Sequence, residues 1–201
     1  MSMCLGLVAL SDANIRRILR DPPLVWQVIA PDDPSPYEAA RAQQPKATLL
    51  SKLFGRGNLS QNAPDLEMSS AEGLSTDLDK AWHGIHYFLT GTAWEGEHPH
   101  NFLVSGGTAV GGIDVGYGPA RVLTAAETRE ARDSLRAITD EELKARFNPQ
   151  DMLAKEIYPG IWTREPEEDD TLGYLMEHVQ ILRDFLDQAV HQGLGIVVCI
   201  S

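Results

Sequence analysis

Cysteine is scarce in this chain of 201 residues, where only Cys4 and Cys199 are present. Each cysteine lies in an apolar run near one end of the chain, and no Cys-x-x-Cys spacing occurs. Two such residues provide neither a disulfide framework nor a zinc-finger pattern. Because free cysteine is among the most frequently buried residue types, we expect two reduced thiols in the core.

Basic residues are also few, since 17 Lys and Arg stand against 29 Asp and Glu and the net charge is −12. Phosphate-rich partners need clustered positive charge, so this balance argues against binding to nucleic acid or to an anionic membrane. Acidity by itself is common among soluble proteins. It also allows attraction to a basic protein partner, in which charge accelerates the encounter more than it tightens the complex.

Long hydrophobic runs are absent, and no segment approaches the ~18–20 apolar residues that span a bilayer. Residues 1–10 resemble the apolar region of a signal peptide, but no basic region precedes them and no Ala-x-Ala cleavage site follows. Instead Asp12, Arg16 and Arg17 follow at once. We therefore expect a mature start and a cytoplasmic protein.

The length and the apolar content of 43% predict one domain, residues 1–201, with a substantial core. Cys4–Leu10 and Leu194–Ile200 are short and almost wholly apolar, which is typical of strands buried on both faces. Phe102–Val104 and Arg121–Leu123 are shorter strand candidates. The predicted fold class is α+β: a small mixed sheet that includes both terminal strands and is covered by several helices.

Several helix starts are marked by capping residues. Ser11 suits an N-cap, Thr124 and Thr139 each begin a capping box, and Asn148 precedes a proline at the favoured first helical position. Apolar spacing from Leu172 to Val190 predicts a long helix after an acidic run, whose negative charge favours a helix start.

The segment 31–73 differs from the rest of the chain, because Pro, Gly, Asn and Ser are frequent in it. Just before it, Leu24–Ile29 is ambiguous, and its β-branched residues favour a strand. Within it, Ala47–Phe54 has the pattern of a short helix. We interpret 31–73 as a loop-rich surface excursion; the alternative is a segment that becomes ordered when it binds a partner.

The stretch TDLDKAWHGIHYFLTG, residues 76–91, predicts one amphipathic helix. Thr76 suits the N-cap position, and Gly91 suits the left-handed position at the end of a helix. At 100° per residue, one arc of about 120° is apolar and forms the expected core face. This arc contains Leu78, Ala81, Trp82, Ile85, Phe88 and Leu89.

Asp79, His83 and His86 form a stripe beside that core face and are the candidate catalytic residues. Their spacing of four and three residues makes them neighbours on a helix. An aspartate beside a histidine raises the histidine pKa and fixes its tautomer, which suits a general base. The structural alternative is that Asp79 supports the helix start, His83 is solvated and His86 packs against Trp82. Neither a His-Glu-x-x-His pattern nor a Gly-x-Ser-x-Gly elbow accompanies the stripe.

His98 and His100 are candidate metal ligands in an expected loop, preceded by Glu95 and Glu97. With the histidines of the stripe, they would form a His-rich zinc or nickel site if the tertiary contacts allowed it. His-x-His is frequent by chance, however. The expectation is therefore that the protein holds no metal and no other cofactor.

Glycine is dense between residues 106 and 118. Because glycine lets main-chain N–H groups approach an anion closely, Asp114, Tyr117 and Arg121 are the candidate ligand-binding residues. The spacing matches neither a P-loop nor a dinucleotide-binding fingerprint. The alternative is a pair of tight turns around a bulged strand.

Several motifs together resemble a known family. They are LDKAWHGIHYFLTG at 78–91, GYGPAR at 116–121, RFNPQDM at 146–152, IYPGIW at 157–162 and the terminal LGIVVCIS. The chain resembles the YfbM-like family of small bacterial proteins, a domain of unknown function (DUF1877). The resemblance implies one α+β domain in the bacterial cytoplasm and carries no reaction, cofactor or catalytic residues. It also implies an association with toxin neutralisation in bacterial competition, which is suspected for members of this kind.

Two functional hypotheses follow. The first is a protein-binding module for a basic partner such as a toxin, in which case the protein is an immunity protein. The second is a small enzyme or small-molecule binder, with a pocket between the Asp79, His83 and His86 stripe and the glycine-rich segment 106–121. The lack of a complete catalytic motif favours the first hypothesis over an enzyme.

Overall fold

The computed structural model describes residues 2–43, 65–165 and 167–201. Within these ranges, five strands form one sheet in the order β2-β1-β5-β4-β3. They are β1 (Leu5–Leu10), β2 (Ser75–Asp77), β3 (Thr108–Asp114), β4 (Pro119–Leu123) and β5 (Gly195–Ile200). The α-helices of the described residues are α1 (Asp12–Arg20), α2 (Trp26–Ile29), α3 (Ser35–Gln43), α4 (Ala81–Thr90), α5 (Ala125–Arg136), α6 (Asp140–Ala145), α7 (Pro149–Ala154) and α8 (Thr171–His191).

The two terminal strands pair with each other near the middle of the sheet. β1 and β5 run antiparallel, from the pair Leu5 and Ile200 to the pair Leu10 and Gly195. This confirms the α+β class and the expectation that both ends of the chain lie in the sheet. All four strand pairings of the described residues are antiparallel, so the sheet is not the mixed one that was predicted. An apolar run indicates burial, but strand direction depends on connections that the run does not encode.

The sheet is covered on both faces, which explains why its central strands are apolar throughout. Leu5 and Leu7 of β1 contribute to one core with α4, α5 and α8. Val8 and Leu10 contribute to a second core with α1, α2 and the 3-10 turn between them. Side chains alternate between the faces of a strand, so a sheet between two helical layers needs apolar residues at every position. Within the described residues, no helix combines the length and the apolarity that crossing a membrane requires.

The predicted helix caps are present. Ser11 accepts a hydrogen bond from the N–H of Asn14, and Asn148 accepts one at the start of α7. Thr124 and Thr139 each begin a complete capping box. These side chains satisfy main-chain N–H groups that have no partner inside the helix, and they need only local sequence to do so.

Three predictions of local structure are wrong or lie outside the described residues. Pro22–Val25 is a 3-10 turn that continues into α2, so the strand predicted at 24–29 was wrong. The prolines at the start of the turn fix φ near helical values, which outweighs the β-branched residues. α3 occupies part of the excursion, and the predicted helix at 47–54 lies outside the described residues. Residues 102–104 form turns rather than a strand.

The central helix begins later than predicted. Thr76 belongs to β2 and pairs with Leu7, and α4 starts at Ala81. Strand pairing, a tertiary interaction, therefore prevails over the local capping preference. The end is as predicted, with Gly91 in the left-handed conformation at φ 72°. The core face is also as predicted, but burial extends to every residue from Ala81 to Leu89, so α4 is enclosed all round.

Replacing Trp82 with alanine tests this enclosure. The side chain is fully buried and its indole N–H donates to the Met3 carbonyl at 3.1 Å. We expect Trp82→Ala to lower the free energy of unfolding by ~3–5 kcal/mol, because a large cavity remains. Urea denaturation measures the change. Tyr117→Ala, at a side chain that is 45% exposed, is the control; equal small losses in both variants would contradict the enclosure of α4.

Candidate functional site

His83 lies inside the protein and uses both ring nitrogens. Nε2 is 2.7 Å from the carbonyl oxygen of Ala93, and Nδ1 accepts the N–H of Tyr158 at 2.9 Å. A carbonyl only accepts, so Nε2 carries the proton and the ring is neutral. Burial lowers the pKa of His83. In this geometry the imidazole connects two loops to α4.

His86 is equally buried but has one free nitrogen. Nε2 donates to the carbonyl of Glu95 at 3.0 Å, whereas Nδ1 has no hydrogen-bond partner among the described residues. Burial, with a contribution from the neighbouring His83, lowers the pKa of His86 to about 4. The ring is therefore neutral at pH 7, with a lone pair on Nδ1 that faces the interior. The alternative in which His83 is solvated is wrong, because its side chain is buried and its ring stacks on the Trp82 indole at 4.7 Å between centroids.

Asp79 does not join the two histidines on a helix face. It precedes α4 with φ 44°, and it accepts hydrogen bonds from the hydroxyl of Tyr174 at 2.8 Å and the thiol of Cys4 at 3.5 Å. Burial opposes ionisation of Asp79, but these two hydrogen bonds outweigh it and lower its pKa. The carboxylate thus connects the start of β1 to the start of α8. The expected Asp79 and His83 helix pair is corrected, because α4 begins two residues after Asp79.

Arg121 holds the loop that follows α4. Its guanidinium donates to the carbonyls of Phe102 at 3.1 Å, Gly106 at 2.5 Å and Leu103 at 2.5 Å. Burial lowers the pKa of Arg121 to about 10, so it remains charged at pH 7. The N–H groups of Arg121 that an anionic ligand would need are therefore already bound to three main-chain carbonyls.

The glycine-rich segment forms a hairpin. The pairing of β3 with β4 shifts register between Ala109 and Asp114, which is the bulge expected from the glycines. Asp114 then accepts the N–H groups of Gly116 at 2.9 Å and Gly118 at 3.0 Å, and these bonds lower its pKa. The carboxylate of Asp114 therefore binds the N–H groups that an anionic ligand would otherwise bind. Tyr117, at the tip, is exposed.

The loop histidines are separate from the stripe. Nε2 of His98 lies 2.6 Å from the carboxylate of Glu130, and both side chains are more than half exposed. This is a surface hydrogen bond between the loop and α5. In the part of the chain that the structure describes, no three His, Cys, Asp or Glu side chains converge on a metal position, His100 included.

The structure brings His86 near Arg121, whose charge contributes to the lowered pKa of the imidazole. The stripe and the glycine-rich segment are therefore close to each other at His86 and Arg121. Two clefts of about 420 Å³ each lie elsewhere: one at the end of α4 beside Arg146, and one between α2 and α3. Neither of these two clefts is lined by His83, His86 or Arg121.

An exposed tryptophan is the feature that the sequence reasoning missed. Trp94 is 52% exposed, and its ring centroid lies 4.6 Å from that of His83 and 6.1 Å from that of Trp82. Glu95 and Glu97 beside it are exposed. Together these three side chains form what we call the Trp94 surface. The available signal was a tryptophan in a stretch, TAWEGEHP, that has no apolar periodicity.

The fold and these contacts define a three-layer α+β domain in which His83 and His86, the candidate catalytic histidines, are interior. The chain belongs to the family described as "Domain of unknown function (DUF1877)", whose model matches residues 1–199. Among solved structures it is similar to YfbM from Escherichia coli, a protein of unknown function, with 18% identity and a TM-score of 0.62. The likeness covers 98% of this chain and 99% of that one, and at this identity it shows the fold. No functionally curated protein matches.

The buried histidines predict a dependence of stability on pH. The pKa of His86 is about 4 in the folded state against 6.5 for an unperturbed histidine, so the unfolded state binds more protons between these values. The contribution of the neutral His86 to stability is fully present above pH 6.5. As the pH falls towards 4, we expect the free energy of unfolding to decrease by on the order of 3 kcal/mol. Urea denaturation at several pH values measures the loss.

Two variants test whether the pH dependence of stability comes from His86. His86→Gln keeps a donor for the Glu95 carbonyl and should flatten the profile between pH 6.5 and 5, leaving the smaller part due to His83. His191→Gln, at an exposed histidine in the last turn of α8, is the control and should preserve the wild-type profile. A profile unchanged by His86→Gln would show that the imidazole titrates normally.

Replacing Arg121 tests its structural role. Arg121→Met keeps the aliphatic stem but leaves the carbonyls of Phe102, Leu103 and Gly106 without their donors. We expect a loss of about 2–4 kcal/mol in the free energy of unfolding, and faster hydrogen exchange confined to residues 102–107. Arg16→Met, at an exposed arginine, should change neither. Arg121→Met with wild-type stability would mean that these contacts are dispensable.

Proposed function

We propose that this protein is a protein-binding module that recognises a basic partner through the Trp94 surface. In the form that we favour, the partner is a toxin and the module is its immunity protein. The observation that carries the proposal is a half-exposed indole fixed on the buried His83 and Trp82 rings.

The rigidity of Trp94 comes from the rings beneath it. His83 is held by hydrogen bonds on both nitrogens, to Ala93 and Tyr158, and the preceding helix is buried throughout. Trp94 follows Ala93 directly, so its main chain is fixed at the same point. A side chain that is already ordered loses little conformational entropy on binding, which favours affinity.

The chemistry of Trp94 suits the centre of an interface. Tryptophan is enriched among the residues that dominate binding free energy, and burial of its large apolar ring contributes most when the surrounding residues exclude water. Leu19 and Leu153 are also exposed, but a leucine side chain offers less apolar area to a partner than an indole does.

The charge around Trp94 indicates a basic partner. Glu95 and Glu97 are exposed beside the indole, and no Lys or Arg occurs between Ala81 and Ala120. The net charge of −12 extends this field over the whole molecule. Complementary charge accelerates encounter and excludes wrong partners. An immunity protein that must capture its toxin quickly would gain from this arrangement.

The enzyme alternative has less support. It requires a substrate to reach the free Nδ1 of His86, and neither of the two clefts described above is lined by that residue. His83 has both nitrogens engaged, and Asp79 is engaged with Cys4 and Tyr174. We therefore assign no catalytic role to the stripe in this proposal.

The proposal is tested with the products of neighbouring genes. Each product is co-expressed with this protein, any stoichiometric complex is purified, and its dissociation constant is measured by biolayer interferometry. We expect Trp94→Ala to weaken binding by about 30-fold or more, as for a residue that dominates an interface. Raising the salt concentration should slow association because the charges are screened.

Leu19→Ala is the matched control, since Leu19 is also exposed but belongs to α1 on the other face of the sheet. It should bind as the wild type does. A complex with equal affinity for both variants would exclude the Trp94 surface. Absence of any stoichiometric partner among the neighbouring gene products would remove the immunity role.

A further inference from the structure

We infer that the cleft between α2 and α3 binds the guanidinium or primary ammonium group of an organic cation. The cleft has a volume of about 420 Å³, within the range of small-molecule sites. Trp26 and Tyr37 provide aromatic walls, and Asp33, Glu38 and Asp65 provide carboxylates. It contains none of the residues of the proposed Trp94 surface.

The aromatic walls suit a cation. A guanidinium or ammonium over an aromatic face is attracted by the negative face of the ring. The protein already uses this interaction at the same helix, because the guanidinium carbon of Arg41 lies 5.0 Å from the centroid of the Tyr37 ring. Arg41 is also paired with Asp21 through both terminal nitrogens, at 2.7 and 2.6 Å, so its charge is matched by a carboxylate outside the cleft.

The carboxylates of the cleft are not matched in the same way. Among the described residues that line it there is no Lys or Arg. Oδ1 of Asp33 accepts the N–H of Ser35, and Oδ1 of Asp65 accepts the side-chain amide of Gln27. Both donors are neutral, and the carboxylate of Glu38 receives no hydrogen bond from a described residue. Three negative charges in one concave site therefore favour a cationic ligand over a neutral one of equal shape.

The cleft and the Trp94 surface belong to opposite faces of the sheet. Trp26 packs against the core formed with α1, whereas Trp94 lies on His83 of α4 in the other core. The inference therefore goes beyond the proposed function and does not depend on it. The cation can be a free small molecule or an arginine side chain presented by a peptide.

Agmatine and blocked Gly-Arg-Gly are the two probes, and blocked Gly-citrulline-Gly is the neutral isostere. Each is titrated into the ¹⁵N-labelled full chain while the indole N–H signals are followed; Trp26→Phe assigns the signal of Trp26. We expect saturable shifts at Trp26 with a dissociation constant on the order of 1 mM for a probe this small, and no saturation with the citrulline peptide.

Glu38→Gln removes one charge at a side chain that makes no hydrogen bond or ion pair with a described residue, and Glu141→Gln makes the same change on α6 as the control. We expect Glu38→Gln to weaken agmatine binding by about fivefold or more, and Glu141→Gln and Trp94→Ala to leave it unchanged. Saturation by agmatine, by the arginine peptide or by both supports the inference and identifies the source of the cation. Equal binding of the citrulline peptide, or equal affinity in the Glu38 and Glu141 variants, overturns it.

Discussion

The enclosure of α4 is the constraint on which the rest of the structure depends. Every residue from Ala81 to Leu89 is buried, so the helix lies between the sheet, α8 and the loops on either side. Gly84 shows how close the packing is, because a Cβ there would lie 2.6 Å from Leu175 and 3.1 Å from Trp162. Close packing of this kind fixes neighbouring elements, since few alternative arrangements fill the same space.

Enclosure also decides what the polar side chains of α4 do. A buried imidazole needs partners, and His83 and His86 find them in the main-chain carbonyls of Ala93 and Glu95. The loop that follows the helix is thereby held against it, and Arg121 holds the next turn through three more carbonyls. The candidate site residues His83, His86 and Arg121 are thus engaged in positioning one loop. This loop in turn holds Trp94 rigid and exposed.

The two proposed sites differ in how they arise from the fold. The Trp94 surface follows from the core around α4, because the indole rests on a side chain of that helix. The cleft follows from α2 and α3 on the other face of the sheet, where aromatic and acidic side chains line one concave space. A sheet with helices on both faces has room for two independent sites, and the acidity of the chain is the reason why we propose a positively charged partner for each.

Local sequence was sufficient to predict the elements with local causes: capping at Thr124 and Thr139, the left-handed Gly91, and terminal strands apolar at every position. The other features depend on contacts between distant parts of the chain. Pairing of Thr76 with Leu7 delayed the start of α4, and Asp79 consequently turned towards Tyr174 instead of His83. Periodicity shows which face of a helix is apolar but not whether the opposite face is also covered. That coverage depends on residues distant in sequence, and it buried His83 and His86 against main-chain carbonyls.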